Sequence, residues 1–232
     1  MQEERKKNKK YTIEEIRATQ KGKGFYLKIS NEIATHLIYF IQSLVVHPNY
    51  FTLLSLFFGI SFSYFLLTGE IIISAIMVNL FYLFDNLDGQ WARIKKMTSS
   101  FGALFDSLVD GWNITIVIVS VGVYLYGKEQ NVYYLYLTLL FFILSFLDFA
   151  LEKNSIIEEQ QDGTKTISLQ ECSRQLKNII LFVSSTTSYD KWILMLTLGT
   201  VFDMLGIVLV YIIVTRLLNY AIKLLKIYLK YR

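Results

Sequence analysis

Asp85, Asp88, Asp106 and Asp110 are four carboxylates within 26 residues of otherwise largely apolar sequence. Asp85 and Asp88 are three residues apart, and Asp106 and Asp110 are four apart. On a helix both spacings put side chains on one face. Gly89 and Ala92 continue the first face, and Gly102 joins Asp106 and Asp110 in a stripe on the second. The link between the two segments is short, so the spacing predicts antiparallel neighbouring helices whose acidic faces meet at one depth. Four carboxylates so placed repel one another strongly. Two divalent cations would balance them, and hard oxygen ligands suit Mg²⁺ or Mn²⁺. Two such ions ~4 Å apart are the usual clamp for the attacking and leaving oxygens of phosphoryl chemistry. A lone Asp at a span end is ordinarily a solvated helix end. Four on two facing helices are costly within a membrane and mark function.

The other common metal ligands are scarce. Cys172 is the only cysteine, so neither an intrachain disulfide nor a thiolate cluster can form. His36 and His47 are the only histidines, which excludes a His-rich zinc site. Any metal here is held by oxygen.

The elements that must position these acids are membrane helices. Of the 232 residues, 53% are hydrophobic, 16% are aromatic and one is proline, and the apolar residues come in long blocks. This composition predicts one all-α integral membrane domain. Net charge is +4, but its placement says more: nine of the first 29 residues are Lys or Arg, against four Glu. That basic N-terminus reads as a cytoplasmic anchor beside anionic lipid, with no nucleic acid as partner. It is no signal peptide, because about 30 polar residues precede any apolar stretch.

Residues 1–29 are read as the polar basic cytoplasmic N-terminus and 30–232 as the membrane domain. Residues 30–46 are apolar but interrupted, which predicts an amphipathic helix along the interface. His47-Pro48-Asn49 breaks it, and proline suits the first turn of the next helix. Spans follow at about 50–68, 71–92, 103–126 and 131–151, each near the ~20 residues needed to cross ~30 Å of hydrocarbon. Residues 152–188 form the longest loop, and 189–227 hold two more spans turning near Asp203–Gly206, or else one long tilted helix. Six transmembrane helices with both termini inside place Arg93, Lys95, Lys96, the 152–188 loop and the C-terminal lysines on the cytoplasmic side. Lys128 is then the one Lys left outside, which satisfies the positive-inside rule. The acids then lie near the cytoplasmic face.

Asp85, Asp88, Gly89, Ala92, Arg93, Gly102, Asp106 and Asp110 spell D-x2-D-G-x2-A-R-x8-G-x3-D-x3-D. This pattern resembles the signature of the CDP-alcohol phosphotransferase (CDP-alcohol phosphatidyltransferase) family at all eight positions, with the full spacing. At ordinary residue frequencies of ~5–8% each, eight fixed positions arise by chance well below ~10⁻⁶ per chain. The resemblance extends to an interfacial N-terminal helix, six spans and a Pro-Asn-x-x-Thr element, here Pro48, Asn49 and Thr52. It implies transfer of a phosphatidyl-type group from a CDP-linked lipid donor to a small alcohol acceptor, with release of CMP, in phospholipid head-group biosynthesis. It also implies two Mg²⁺ or Mn²⁺ ions as cofactors and the option of a homodimer.

The roles implied by the resemblance are specific. Asp85, Asp88 and Asp106 bind metal, while Asp110 binds metal and serves as the general base. Gly89 and Ala92 leave room for the cytidine part of the donor, Gly102 permits close packing or nucleotide approach, and Arg93 pairs with a phosphate. Asn49 and Thr52 contact the donor. Each has a plainer reading as well: small residues on span faces are common packing points, Arg93 alone is an ordinary positive-inside anchor, and Asn49 and Thr52 alone are a helix start. Choline and ethanolamine phosphotransferases carry His after the third Asp, where this chain has Ser107. Relatives acting on phosphorylated inositol carry Arg after the fourth, where this chain has Gly111. Lys153, Lys165, Arg174 and Lys177 in the long loop read as a solvated face, with a grip on an acceptor phosphate as the alternative.

Two other functions are compatible with an acidic membrane bundle. An intramembrane Mg-dependent prenyltransferase also holds a diphosphate with two Asp-rich helices, but those lie far apart in sequence, and it releases pyrophosphate instead of CMP. A small cation transporter lines an ion path with acids, but there they sit near the midplane beside broken helices.

Overall fold

The computed structural model describes residues 10–22, 24–162 and 189–230, and these form eight helices and no strand. They are α1 (Ile13–Arg17), α2 (Phe25–Ile41), α3 (Asn49–Leu67), α4 (Ile71–Ile94), α5 (Ser100–Glu129), α6 (Tyr133–Asp162), α7 (Tyr189–Val201) and α8 (Leu205–Lys230). Within the described residues, α3, α4, α5 and Leu205–Leu225 of α8 are long and apolar enough to cross a membrane. The apolar part of α6, Tyr133–Leu147, is shorter. Helix α7 has 13 residues, about 20 Å at 1.5 Å per residue. The chain is thus an all-helical, multi-pass membrane protein.

On one helix, α2, polar residues turn inward and large apolar ones outward. The residues turned inward are Ser30, Asn31 and Thr35, with Ala34 and Ile38, while Phe25, Ile29, Ile33 and Phe40 face outward. Lipid tails solvate apolar side chains as well as a protein core does, so only polar groups gain by turning in. Here they form a chain of hydrogen bonds. Gln20 Nε2 donates to Thr35 Oγ1 at 3.0 Å, Thr35 Oγ1 to Gln90 Oε1 at 3.1 Å, and Gln90 Nε2 to Asn31 Oδ1 at 2.9 Å. Gln90 is fully buried on α4. The interfacial helix is thereby locked to the helix that carries Asp85 and Asp88.

Two apolar clusters bracket the acids along α4. Phe81 and Tyr82 belong to the larger one, with Phe62, Ile118, Val121, Ile193 and Leu209. Leu87, Trp91 and Ile94 belong to the smaller one, with Ile16, Ala34 and Ile38. Helix α3 packs on both α4 and α5. At Gly59 this approach is so close that an added Cβ would lie 2.1 Å from Asn113 Oδ1.

The α4–α5 turn sets the register of the acidic faces. Met97 N–H donates to Ala92 O at 2.8 Å and Lys96 N–H to Arg93 O at 3.2 Å, the paired bonds that close a helix when the residue between adopts left-handed backbone. Lys96 takes that conformation, with φ of 56°, where glycine is usual and a side chain costs about 1–2 kcal/mol. Ser99 then caps α5, its Oγ accepting from Gly102 N–H at 2.9 Å. The α7–α8 turn repeats the device: Met204 N–H donates to Gly199 O at 2.8 Å, Asp203 is left-handed, and the Asp203 carboxylate pairs with Lys128 at the end of α5.

Several boundaries differ from the sequence reading. The helix read as interfacial runs Phe25–Ile41 instead of 30–46, because Gly24, with extended backbone, is its N-cap. Helix α6 continues to Asp162, so the long loop starts later than residue 152. One tilted helix over 189–227 is excluded by the break at Phe202–Met204. Residues 10–22 are no mere tether either. Thr12 and Glu15 cap α1 reciprocally, Ile16 is fully buried, and Arg17 forms a two-pronged ion pair with Glu32 of α2.

Candidate active site

Antiparallel α4 and α5 bring all four aspartates together as two cross-helix pairs. Asp88 lies against Asp106, nearer the turn, and Asp85 lies against Asp110, farther from it. Ligand oxygens of Asp85, Asp106 and Asp110 all lie within 4.8 Å of one another. Asp88 stands slightly apart, since its Oδ2 accepts a 2.6 Å hydrogen bond from Thr52 Oγ1 on α3. Asp106 Oδ1 and Asp110 Oδ1 are buried and accept no hydrogen bond among the described residues. Buried carboxylate oxygens without a donor are costly. An all-oxygen set with two orphaned atoms and net negative charge fits a divalent cation.

Beside the Asp88–Asp106 pair lies a cavity of about 160 Å³. Asn49 and Thr52 of α3, Asp88, Gly89, Ala92 and Arg93 of α4, and Gly102 and Asp106 of α5 all line it. Helix spacing sets Gly89 and Ala92 beside Asp88 and sets Gly102 beside Asp106, whereas Asn49, Thr52 and Arg93 are named by the family resemblance. At residue 89 a Cβ would sit 3.1 Å from Arg93 Nη1, so a larger side chain would push the guanidinium from its place at the cavity. Gly102 serves the cavity in a different way from helix packing. It lies in the first turn of α5, where a Cβ would meet Ser99 Oγ at 3.0 Å. The N-terminal end of a 30-residue helix therefore opens on the cavity, and such ends attract phosphate.

Several contacts at the site have no signature in the sequence. Thr52 grips Asp88 as well as lining the cavity. Arg93 Nε donates to the backbone oxygen of Thr19 at 2.8 Å, so the segment after α1 aims the guanidinium across the cavity. A carbonyl has no sequence signature, so Thr19 could not have been read in advance. Met97, Thr98, Ser99 and Ala103 complete the wall; of these, only Ser99 was foreseeable, as a helix cap. Ser107 is exposed, and a Cβ at Gly111 would meet nothing within 4 Å, so both lie on the outer face of α5. Lys165, Arg174, Lys177 and Cys172 fall outside the described residues, as does the side chain of Lys153.

Residues 45–202, which include every acid and every cavity-lining residue, match the family described as CDP-alcohol phosphatidyltransferase. The chain belongs to that family. Among relatives of this CDP-alcohol phosphatidyltransferase-family chain, an uncharacterized protein of Aquifex aeolicus is 32% identical over 124 residues, or 53% of this chain and 61% of that protein. A Helicobacter pylori protein named CDP-diacylglycerol–serine O-phosphatidyltransferase is 36% identical over 70 residues, 30% of each chain. The chain thus spans less than two thirds of the length of either relative. Family members depend on divalent metal, and the acid cluster of this one is chemically suited to bind it.

Proposed function

We propose that the chain transfers a phosphatidyl-type group from a CDP-linked lipid to the hydroxyl of a small alcohol and releases CMP, as a step of phospholipid head-group synthesis. The observation that carries this reading is the cavity lined by the family's motif residues directly beside the acid cluster. Gly89, Ala92 and Gly102 leave room for the cytidine end, and Arg93, with its Nε tied to Thr19, turns its remaining N–H groups toward the pyrophosphate. Asn49 and Thr52 border the nucleotide, and Thr52 also holds Asp88 in place. Asp85, Asp88, Asp106 and Asp110 would hold two Mg²⁺ or Mn²⁺ ions, which supply charge neutralisation for the pyrophosphate and the departing CMP. Asp110 takes the proton of the attacking hydroxyl.

The name of the Helicobacter pylori relative makes serine the first acceptor to test. The purified chain is incubated with CDP-diacylglycerol and Mg²⁺, and serine, glycerol phosphate, inositol and inositol phosphate are added separately. Acceptor-dependent release of CMP is the expected result. Pyrophosphate release from a prenyl donor, with no CMP from any CDP-lipid, would overturn the proposal.

Six membrane-crossing helices, a domain spanning residues 30–232, a site at the cytoplasmic face and pairing into a homodimer belong to the same proposal. The Lys/Arg distribution requires both termini and the 152–188 loop to be cytoplasmic. With Cys172→Ser in place, a Gln160→Cys variant should be labelled by a membrane-impermeant thiol reagent only after the cells are opened. Labelling from outside intact cells would invert the topology and the placement of the site.

A further inference from the structure

Tyr189 begins α7, and its hydroxyl is buried with no hydrogen-bond partner among the described residues. The ring cannot easily swing away. It packs edge-on to Phe81, with centroids 6.2 Å apart, and at an angle to Tyr82, 6.0 Å apart. Asp85 follows those residues by one turn of α4, and the phenol lies within electrostatic reach of Asp85, Asp110 and Asp106 while bonding to none of them. A buried donor and the buried, unbonded Oδ1 atoms of Asp106 and Asp110 thus share one neighbourhood without meeting. Polar atoms so arranged are expected to meet through a ligand.

The position tells which ligand. The nucleotide cavity reaches Asp88 and Asp106, but neither Asp85, Asp110 nor any residue of α7 lines it. In-line displacement places the attacking oxygen across the phosphorus from the leaving oxygen. With CMP leaving on the Asp88–Asp106 side, the alcohol approaches from the Asp85–Asp110 side, toward Phe81 and Tyr82, on which the Tyr189 ring packs.

We infer that Tyr189 is an acceptor-binding residue, donating a hydrogen bond to an oxygen of the alcohol other than the one that attacks. The inference rests on the transfer reaction proposed above. In that step the acceptor oxygen forms a bond to the lipid-side phosphorus and the bond from that phosphorus to the CMP oxygen breaks. Its electron pair leaves with CMP, the hydroxyl proton passes to Asp110, and Tyr189 keeps its own proton throughout. Serine, glycerol phosphate and inositol phosphate all offer a second oxygen for the contact.

The test uses Tyr189→Phe in the full chain, which keeps the ring and its packing. Equilibrium binding of CDP-diacylglycerol in Mg²⁺ is measured alongside kcat and KM for whichever of those three acceptors supports CMP release by the wild type. Loss of one hydrogen bond should raise the acceptor KM about ten-fold, with donor affinity unchanged and kcat within about three-fold. An acceptor KM within about two-fold of wild type overturns the inference. So does a parallel loss of donor affinity, which would make Tyr189 a packing residue. Failure of the transfer reaction itself is seen separately, as a wild-type protein that releases no CMP with any alcohol.

Discussion

Asp110→Asn should abolish turnover while retaining much of the affinity for the CDP donor, whereas Asp85→Asn should lose both. Asparagine keeps the shape and one ligand oxygen of aspartate but cannot accept a proton, and removal of a general base costs about 10²–10⁴ in rate. Asp110 lies farther from the α4–α5 turn than Asp106, outside the cavity, and its Oδ1 accepts no hydrogen bond among the described residues. It is therefore available to an alcohol and is not needed to shape the donor site. Asp85, like Asp110, is outside the cavity and has an oxygen among the three that converge within 4.8 Å, but it has no proton-transfer role, so its part is to hold metal. Neutralising it weakens the grip on metal and, through metal, on pyrophosphate. Each variant needs equilibrium binding of the CDP-lipid in Mg²⁺ and CMP release at saturating acceptor. Near-normal turnover of Asp110→Asn would assign the base to another group. Normal donor affinity of Asp85→Asn would remove that residue from the metal set.

Exhaustive chelation should bring CMP release to background, and Mg²⁺ or Mn²⁺ should restore it. The donor set is oxygen only, since two histidines and one cysteine are all the chain has, and His36 and His47 lie outside the cavity lining and the acid trio. Metal should also raise thermal stability without any substrate. Ligand that binds only the folded state adds about 2.7 kcal/mol at a hundred-fold excess over Kd, and here it also relieves repulsion among the converging carboxylates. The increment should shrink in Asp85→Asn. In EDTA, however, that variant should unfold at a higher temperature than wild type, because one buried negative charge has gone. Full activity after chelation would sink the metal-dependent mechanism, and identical melting with and without Mg²⁺ would show that the acids do not bind it.

Much of this protein was legible because helices and membranes impose simple periods. Apolar blocks near the width of a bilayer predict helices. Spacings of three and four put Asp85 with Asp88, and Asp106 with Asp110, on single faces whatever the rest of the fold does. The short connection between them turns the second acidic face back toward the first, and the structure pairs the acids in that sense, with α3 packed on both helices. The oxygen-only character of the ligand set follows from composition alone.

Helix ends were less legible, because they depend on local backbone states that several residue types can adopt. Lys96 and Asp203 take the left-handed positions where glycine would have announced a stop, and α6 runs on into polar sequence as far as Asp162. Tertiary structure alone decided which polar groups meet. Thr52 and Asp88 are 36 positions apart, Thr19 and Arg93 are 74 apart, and Asn31 and Gln90 are 59 apart. None of these contacts has a period or a motif, because each arises from where whole helices dock. In lipid that docking is directed by buried polar groups such as Gln90 and Thr35 more than by apolar burial, and a pattern of hydrophobic residues carries little information about it.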